Sequence, residues 1–274
     1  MSMSRSLFTT VVCGLASLLS TAAVAQNGLI AHIPLPFSPI AQAINLANHR
    51  IYVAGADDEG IWKLVVVDGS TNTIDSTIET EVDTTALAVN PATNRVYVAG
   101  TRGPDDDRVL AVVDGATNSI VAYVPTDLDV VTDIAVNAVT NRVYLAGLAL
   151  SGPFVLRVID GATNTVIDTV VTDTDAIDIV LNPSTNRVYV ASSGSITVVD
   201  GETDVVLEPI SLPIDSFNTT MAINSITNRL YVGGYDEFGT RILNRRRRRI
   251  GRDRGLGQYV HRSIHAGGQF GDQP

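Results

Sequence analysis

Short stretches that are apolar at every position, rather than at every second one, recur along the chain between clusters of Asn, Asp, Thr, Gly and Pro. In Val96-Tyr97-Val98-Ala99, an extended backbone puts Val96 and Val98 on one face and Tyr97 and Ala99 on the other, so both faces are apolar. Strands of that kind suit sheets covered on both sides. The pattern predicts four strands in one unit, at residues 86–89, 95–100, 109–114 and 119–124. Asn90-Pro91-Ala92-Thr93-Asn94 joins the first two: Pro has a fixed φ that suits a turn, and Asn can bond backbone amides. A turn opening with Asp114-Gly115, a strong hairpin signal, joins the last two. Each unit is thus an antiparallel meander that needs neighbours on both faces.

Those neighbours are copies of itself. The Asn90 motif returns from Asn45, Asn137, Asn182 and Asn224, at successive spacings of 45, 47, 45 and 42 residues. A period of this length goes with four strands per propeller blade. A second motif keeps step: Val66-Val67-Asp68-Gly69, Val112-Val113-Asp114-Gly115, Val158-Ile159-Asp160-Gly161 and Val198-Val199-Asp200-Gly201. Together the two motifs resemble the YVTN family of β-propeller repeats over roughly residues 29–243. The resemblance implies an all-β propeller; members of that family are typically seven-bladed. First strands near residues 43, 86, 134, 179 and 221 give about five blades in this chain. Leu29-Ile30-Ala31-His32-Ile33-Pro34 matches the fourth strand at Ile120, yet no earlier strands precede it. It is expected to complete the fifth blade and hide its edge.

The ends read differently. Residues 1–25 have the form of a secretory signal: Arg5, an apolar run from Leu7 to Leu19, then Ala23-Val24-Ala25 before Gln26. Cleavage there leaves residues 26–243 as the repeat domain, exported to the periplasm, cell surface or medium, with no membrane span. The alternative of an uncleaved anchor is weakened by the shortness of the apolar run. The sole cysteine, Cys13, lies in the signal, where Thr10-Val11-Val12 before it lacks the small residue of a lipoprotein site. After Leu243 the repeat fails, and Asn244 is followed by Arg245 to Arg249. Residues 244–274 are expected to be a basic, disordered tail. One reading is a surface for anions; the other is a frameshift, because moving one base through Asn and CGN arginine codons allows Ile-Val-Asp-Gly-Ala where the repeat requires it.

Charge changes the picture of partners. The chain carries −10 overall, but residues 1–243 hold 27 acidic and 11 basic groups. Nucleic acid and anionic membranes are disfavoured as partners. In a propeller the first-to-second and third-to-fourth turns share one end, and the other loops share the opposite end. The second end carries the variable acidic loops: Asp57-Asp58-Glu59, Asp105-Asp106-Asp107 and Asp236-Glu237. Asp133 and Asp178 each stand four residues before a repeat Asn, on the channel side of a first strand. The candidate ligand surface is therefore Asp57, Asp58, Asp105, Asp106, Asp107, Asp133, Asp178 and Asp236. Ca²⁺ is the cation such carboxylates would take, although no loop has its ligand spacing, and a merely solvated acidic rim is the plainer reading. Asp68, Asp114, Asp160 and Asp200 are turn caps by their regular placement, as are Asn94, Asn141, Asn186 and Asn228.

Enzyme chemistry finds little purchase. His32, His49, His261 and His265 are scattered, and neither Gly-x-Ser-x-Gly nor Cys-x-x-Cys-His occurs. Trp62 and Phe154 suit packing as well as ligand contact. The expected role is a non-catalytic, exported binding propeller with a protein, glycan or cation ligand at the cell envelope. The alternatives are a lactonase-like or dehydrogenase-like propeller enzyme, or an inactive truncated propeller.

Overall fold

The computed structural model describes residues 31–172, 175–212, 220–235, 241–247 and 260–263. Their regular elements are all strands, in five four-stranded antiparallel sheets. Blade one is β1 (Ser38–Asn45), β2 (Arg50–Ala56), β3 (Trp62–Asp68) and β4 (Thr73–Glu79). Blade two is β5 (Val82–Asn90), β6 (Arg95–Arg102), β7 (Asp107–Asp114) and β8 (Ser119–Pro125). Blade three is β9 (Leu128–Asn137), β10 (Arg142–Ala149), β11 (Phe154–Asp160) and β12 (Thr165–Val171). Blade four is β13 (Asp178–Asn182), β14 (Arg187–Ser192), β15 (Ser195–Asp200) and β16 (Val206–Ser211). Blade five is β17 (Thr220–Asn224), β18 (Arg229–Tyr235), β19 (Arg241–Arg247) and β20 (Val260–Ser263). This is a β-propeller built of meanders.

Both faces of the middle strands are buried, as their composition requires. Val96, Tyr97, Val98 and Ala99 are fully enclosed, and so are Leu110 to Val113 on β7. Successive interfaces form separate apolar clusters: Tyr52 with Val96 and Val98 between blades one and two, Leu110 with Val143 and Leu145 between two and three, Tyr144 with Val188 between three and four. At about 1.5–3 kcal/mol for each large aliphatic side chain, this stacking is the dominant stabilising term.

Polar contacts repeat at the same interfaces. The side-chain amide of Asn45 donates to Asn94 Oδ1 at 3.0 Å, Asn90 to Asn141 at 2.8 Å, Asn137 to Asn186 at 2.5 Å and Asn182 to Asn228 at 2.8 Å. The donor asparagines are buried, so each blade is keyed to the next by a satisfied amide. Asn94, Asn141, Asn186 and Asn228 therefore act as acceptors between blades, a role that spacing within one repeat could not show. They also adopt left-handed φ values of 49–55°, which Asn tolerates.

Asp114 caps its turn as expected, accepting from Ala116 N at 2.8 Å, and Asp68, Asp160 and Asp200 do the same. The glycine after Asp114 has a different purpose from the one expected. The left-handed residue of the turn is Asn118 at its far end, so Asp-Gly is not the centre of a two-residue hairpin. A Cβ on Gly115 would lie 2.6 Å from Asn94 Oδ1 and 2.7 Å from the Tyr52 hydroxyl of the preceding blade. Glycine is there for close approach to the Asn94 turn of its own blade and to Tyr52 of the preceding one.

The five blades form an open arc. β1 packs on β5, β5 on β9, β9 on β13 and β13 on β17, but among the described residues no packing of that extent returns from β17 to β1. At one end Ile40 and Ile44 face outward on β1; at the other, Ala222 and Asn224 are exposed on β17. The described part of the segment expected to close the ring, residues 31–34, does not join blade five. Leu29 and Ile30 lie outside the described residues, and residues 31–34 are not in a strand. The fourth place in blade five is held by β20, antiparallel to β19. Ile33, Leu35 and Phe37 instead pack on Ile51, Val53, Val65 and Val67, covering the face of blade one that lacks a neighbouring blade. β19 and β20 also place two stretches of the expected tail in strands; the rest of that tail, and the expected signal segment, lie outside the described residues.

Candidate functional site

The two ends of the arc differ in chemistry. At the end of the repeated turns, Arg50, Arg95, Arg142 and Arg187 pair with Asp75, Asp114, Asp204 and Asp200. The turn carboxylates Asp68, Asp114 and Asp200 are held below their usual range, chiefly by backbone amides of their own turns.

The opposite end carries the acidic loops. Asp57 is committed to its own loop, accepting from the amides of Glu59 and Ile61 at 3.0 and 2.9 Å and pairing with Lys63. The Lys63 hydrogen bond, ahead of these amides, holds its carboxyl down. Asp58, Glu59, Asp105, Asp106 and Asp107 are exposed. Two cations at this end are also taken: Arg102 pairs with Glu81 at 2.9 Å and lies 4.1 Å above the Tyr123 ring, and Arg108 pairs with Asp129 at 3.0 Å. Asp58, Asp105 and Asp107 have no ion-pair partner among the described residues. Asp236 lies outside the described residues.

Asp133 and Asp178 are brought together by the packing of β9 on β13. Asp133 Oδ2 accepts from Ile179 N of the next blade at 3.0 Å, and its Oδ1 accepts from Ile134 N at 2.8 Å. Asp178 accepts in the same manner from Met221 N of blade five. Burial pushes the Asp133 carboxyl up to about 6, and a hydrogen bond to Asp178 pushes in the same direction. The two carboxylates latch three blades in series. Sequence placed both residues on the channel side, but their mutual contact depends on the step between blades.

No three His, Cys, Asp or Glu side chains converge to hold a metal ion among the described residues. A small open cleft, unforeseen from the sequence, lies between blades four and five, lined by Tyr189, Val198, Glu208, Pro209, Ile210, Ile223, Asn228 and Leu230. Its signal was spread over two repeats, and its Asn228 Oδ1 already accepts from Asn182. Phe154 packs against the cluster between blades three and four, in keeping with a core role.

No protein-family model matches the chain, and no curated protein sequence matches it. Among solved structures it is similar to the hydrazine synthase of Kuenenia stuttgartiensis, with a TM-score of 0.67 at 15% identity, over 87% of this chain and 69% of that one. At that identity the likeness concerns the propeller fold alone.

Proposed function

We propose that the chain is an exported, non-catalytic propeller of the YVTN type whose acidic loop end binds a partner at the cell envelope. The observation that carries this reading is the unequal use of charge. Carboxylates at the repeated-turn end cap turns and pair with arginines, whereas Asp58, Glu59, Asp105 and Asp106 are exposed on loops and Asp107 at the start of β7. An exposed surface of one sign recruits the opposite sign, so the ligand is a basic protein surface, or a glycan held through a cation such as Ca²⁺. Polylysine is a sufficient probe. Its affinity should fall steeply from about 0.05 to about 0.5 M salt, where the screening length shrinks from about 14 to about 4 Å. The triple substitution D58N/D105N/D107N should weaken binding about tenfold with folding unchanged. Equal binding by parent and variant would remove the acidic end as the docking surface.

A second reading has one observation in its favour: a carboxyl at about 6 beside another carboxyl is an arrangement suited to acid–base chemistry. Against it, both Asp133 oxygens already accept backbone amides, which fits a latch better than a catalyst.

A further inference from the structure

The fifth blade follows the repeat through one residue and leaves it at the next. Pairing with the second strand gives every third-strand residue a fixed place. Leu64, Leu110, Leu156 and Ile196 stand opposite Ala54, Ala99, Ala146 and Ala191, and Leu243 stands in the same place opposite Gly233. Four places further on, Asp68, Asp114, Asp160 and Asp200 face Arg50, Arg95, Arg142 and Arg187; in blade five Arg247 faces Arg229. The two intervening places nearest the Asp hold Val66-Val67, Val112-Val113, Val158-Ile159 and Val198-Val199, all buried, but Arg245-Arg246 in blade five. Four copies put an aliphatic pair and an Arg–Asp match where the fifth puts three arginines in a row. Guanidinium groups are costly where valines are enclosed. A gradual drift of one repeat would not respect Leu243 and then lose every following place.

We propose that the coding sequence departs from its ancestral frame by one base at codon 244, and that the frame shifted one base forward carries the rest of this strand. Asn is AAY and Arg commonly CGN. Read one base on, residues 244–249 become AYC, then GNC four times, then GNA, since Ile250 begins with A. Place 244 is then Ile or Thr; places 245 to 248 are each Val, Ala, Asp or Gly; place 249 is Val, Ala, Glu or Gly. Thr-Val-Val-Asp-Gly-Glu, identical to residues 197–202, is allowed, and so is the Ala116-like ending. A shift of two bases offers only Ser or Pro followed by Ser, Pro, Thr or Ala, and cannot spell the strand. The register taken from strand pairing thus lines up, place for place, with the one frame able to supply the repeat. The open side of blade five fits the same account: Asn224 is exposed there, where Asn45, Asn90, Asn137 and Asn182 each key into a following blade.

The nucleotide sequence of codons 244–250 and the codons beyond them tests this independently of any binding role. The forward frame should read an aliphatic or Thr residue, then Val-Val-Asp-Gly, and should reach another Asn-x-x-Thr-Asn-Arg about 42–47 residues after Asn224, the spacing within the chain. Any other residue at places 245–248, or a stop before that next motif, would overturn the proposal.

Discussion

Replacing Leu110 by Ala should lower unfolding free energy by about 2–5 kcal/mol, the range for removing a large aliphatic side chain from a packed core. Leu110 is fully enclosed between blades two and three, against Val143, Leu145 and Ile159. The cavity would open at a blade interface, and each blade touches only its neighbours, so the damage should part the arc into two cooperative units. Urea unfolding followed by fluorescence and by circular dichroism would read both effects: a lower midpoint, and probes that no longer coincide. Leu46→Ala is the control, because Leu46 is 75% exposed and should change stability by no more than about 0.5 kcal/mol. Equal effects of the two substitutions would contradict stacking as the source of stability.

Asp133→Asn should gain stability relative to the parent as pH rises from about 4 to about 7. The native carboxyl titrates at about 6 against an ordinary 3.8, so the native state prefers it protonated. That contribution is fully present below about pH 4 and is lost as pH rises through about 6. At about 1.4 kcal/mol for each tenfold change in the proton equilibrium, the loss approaches about 3 kcal/mol. Asn does not ionise and keeps one acceptor, for Ile179 N, but the Ile134 amide loses its partner, a cost of about 1–3 kcal/mol that is the same at every pH. The difference in melting free energy between variant and parent should therefore grow from pH 4 to pH 7. Taking the difference removes the opposing trend from Asp57, Asp68, Asp114 and Asp200, whose lowered carboxyls stabilise the fold above their unfolded range and lose that effect on acidification. A flat difference across that window would show that Asp133 does not hold its proton against Asp178.

The blades were legible in the sequence because both signals that encode them are local. Val96 to Ala99 shows its two apolar faces by itself, and Asp114 caps amides two and three residues on. What was misread depends on neighbours distant in the chain. Gly115 has the look of a hairpin residue, and its close approach to the Asn94 turn and to the Tyr52 hydroxyl of another blade is what excludes a side chain there. Residues 29–34 match a fourth strand in composition, but Ile33 and Leu35 bury equally well on the uncovered face of blade one. The acidic loops could be named from their runs of Asp, whereas the withdrawal of Asp57 into its own loop, and the meeting of Asp133 with Asp178, follow from geometry that no spacing encodes.

Amide hydrogen exchange, resolved strand by strand, tests the dependence of each meander on its flanking blades most directly. Strands β6, β7, β10 and β11, enclosed by blades on both sides, should exchange only through global opening. Strands β17 and β18, with one packed neighbour, should exchange at least about a hundredfold faster, a difference of about 2.7 kcal/mol in opening free energy. Uniform protection across all five blades would mean that each sheet stands on its own, and the account of a stacked, open arc would fail.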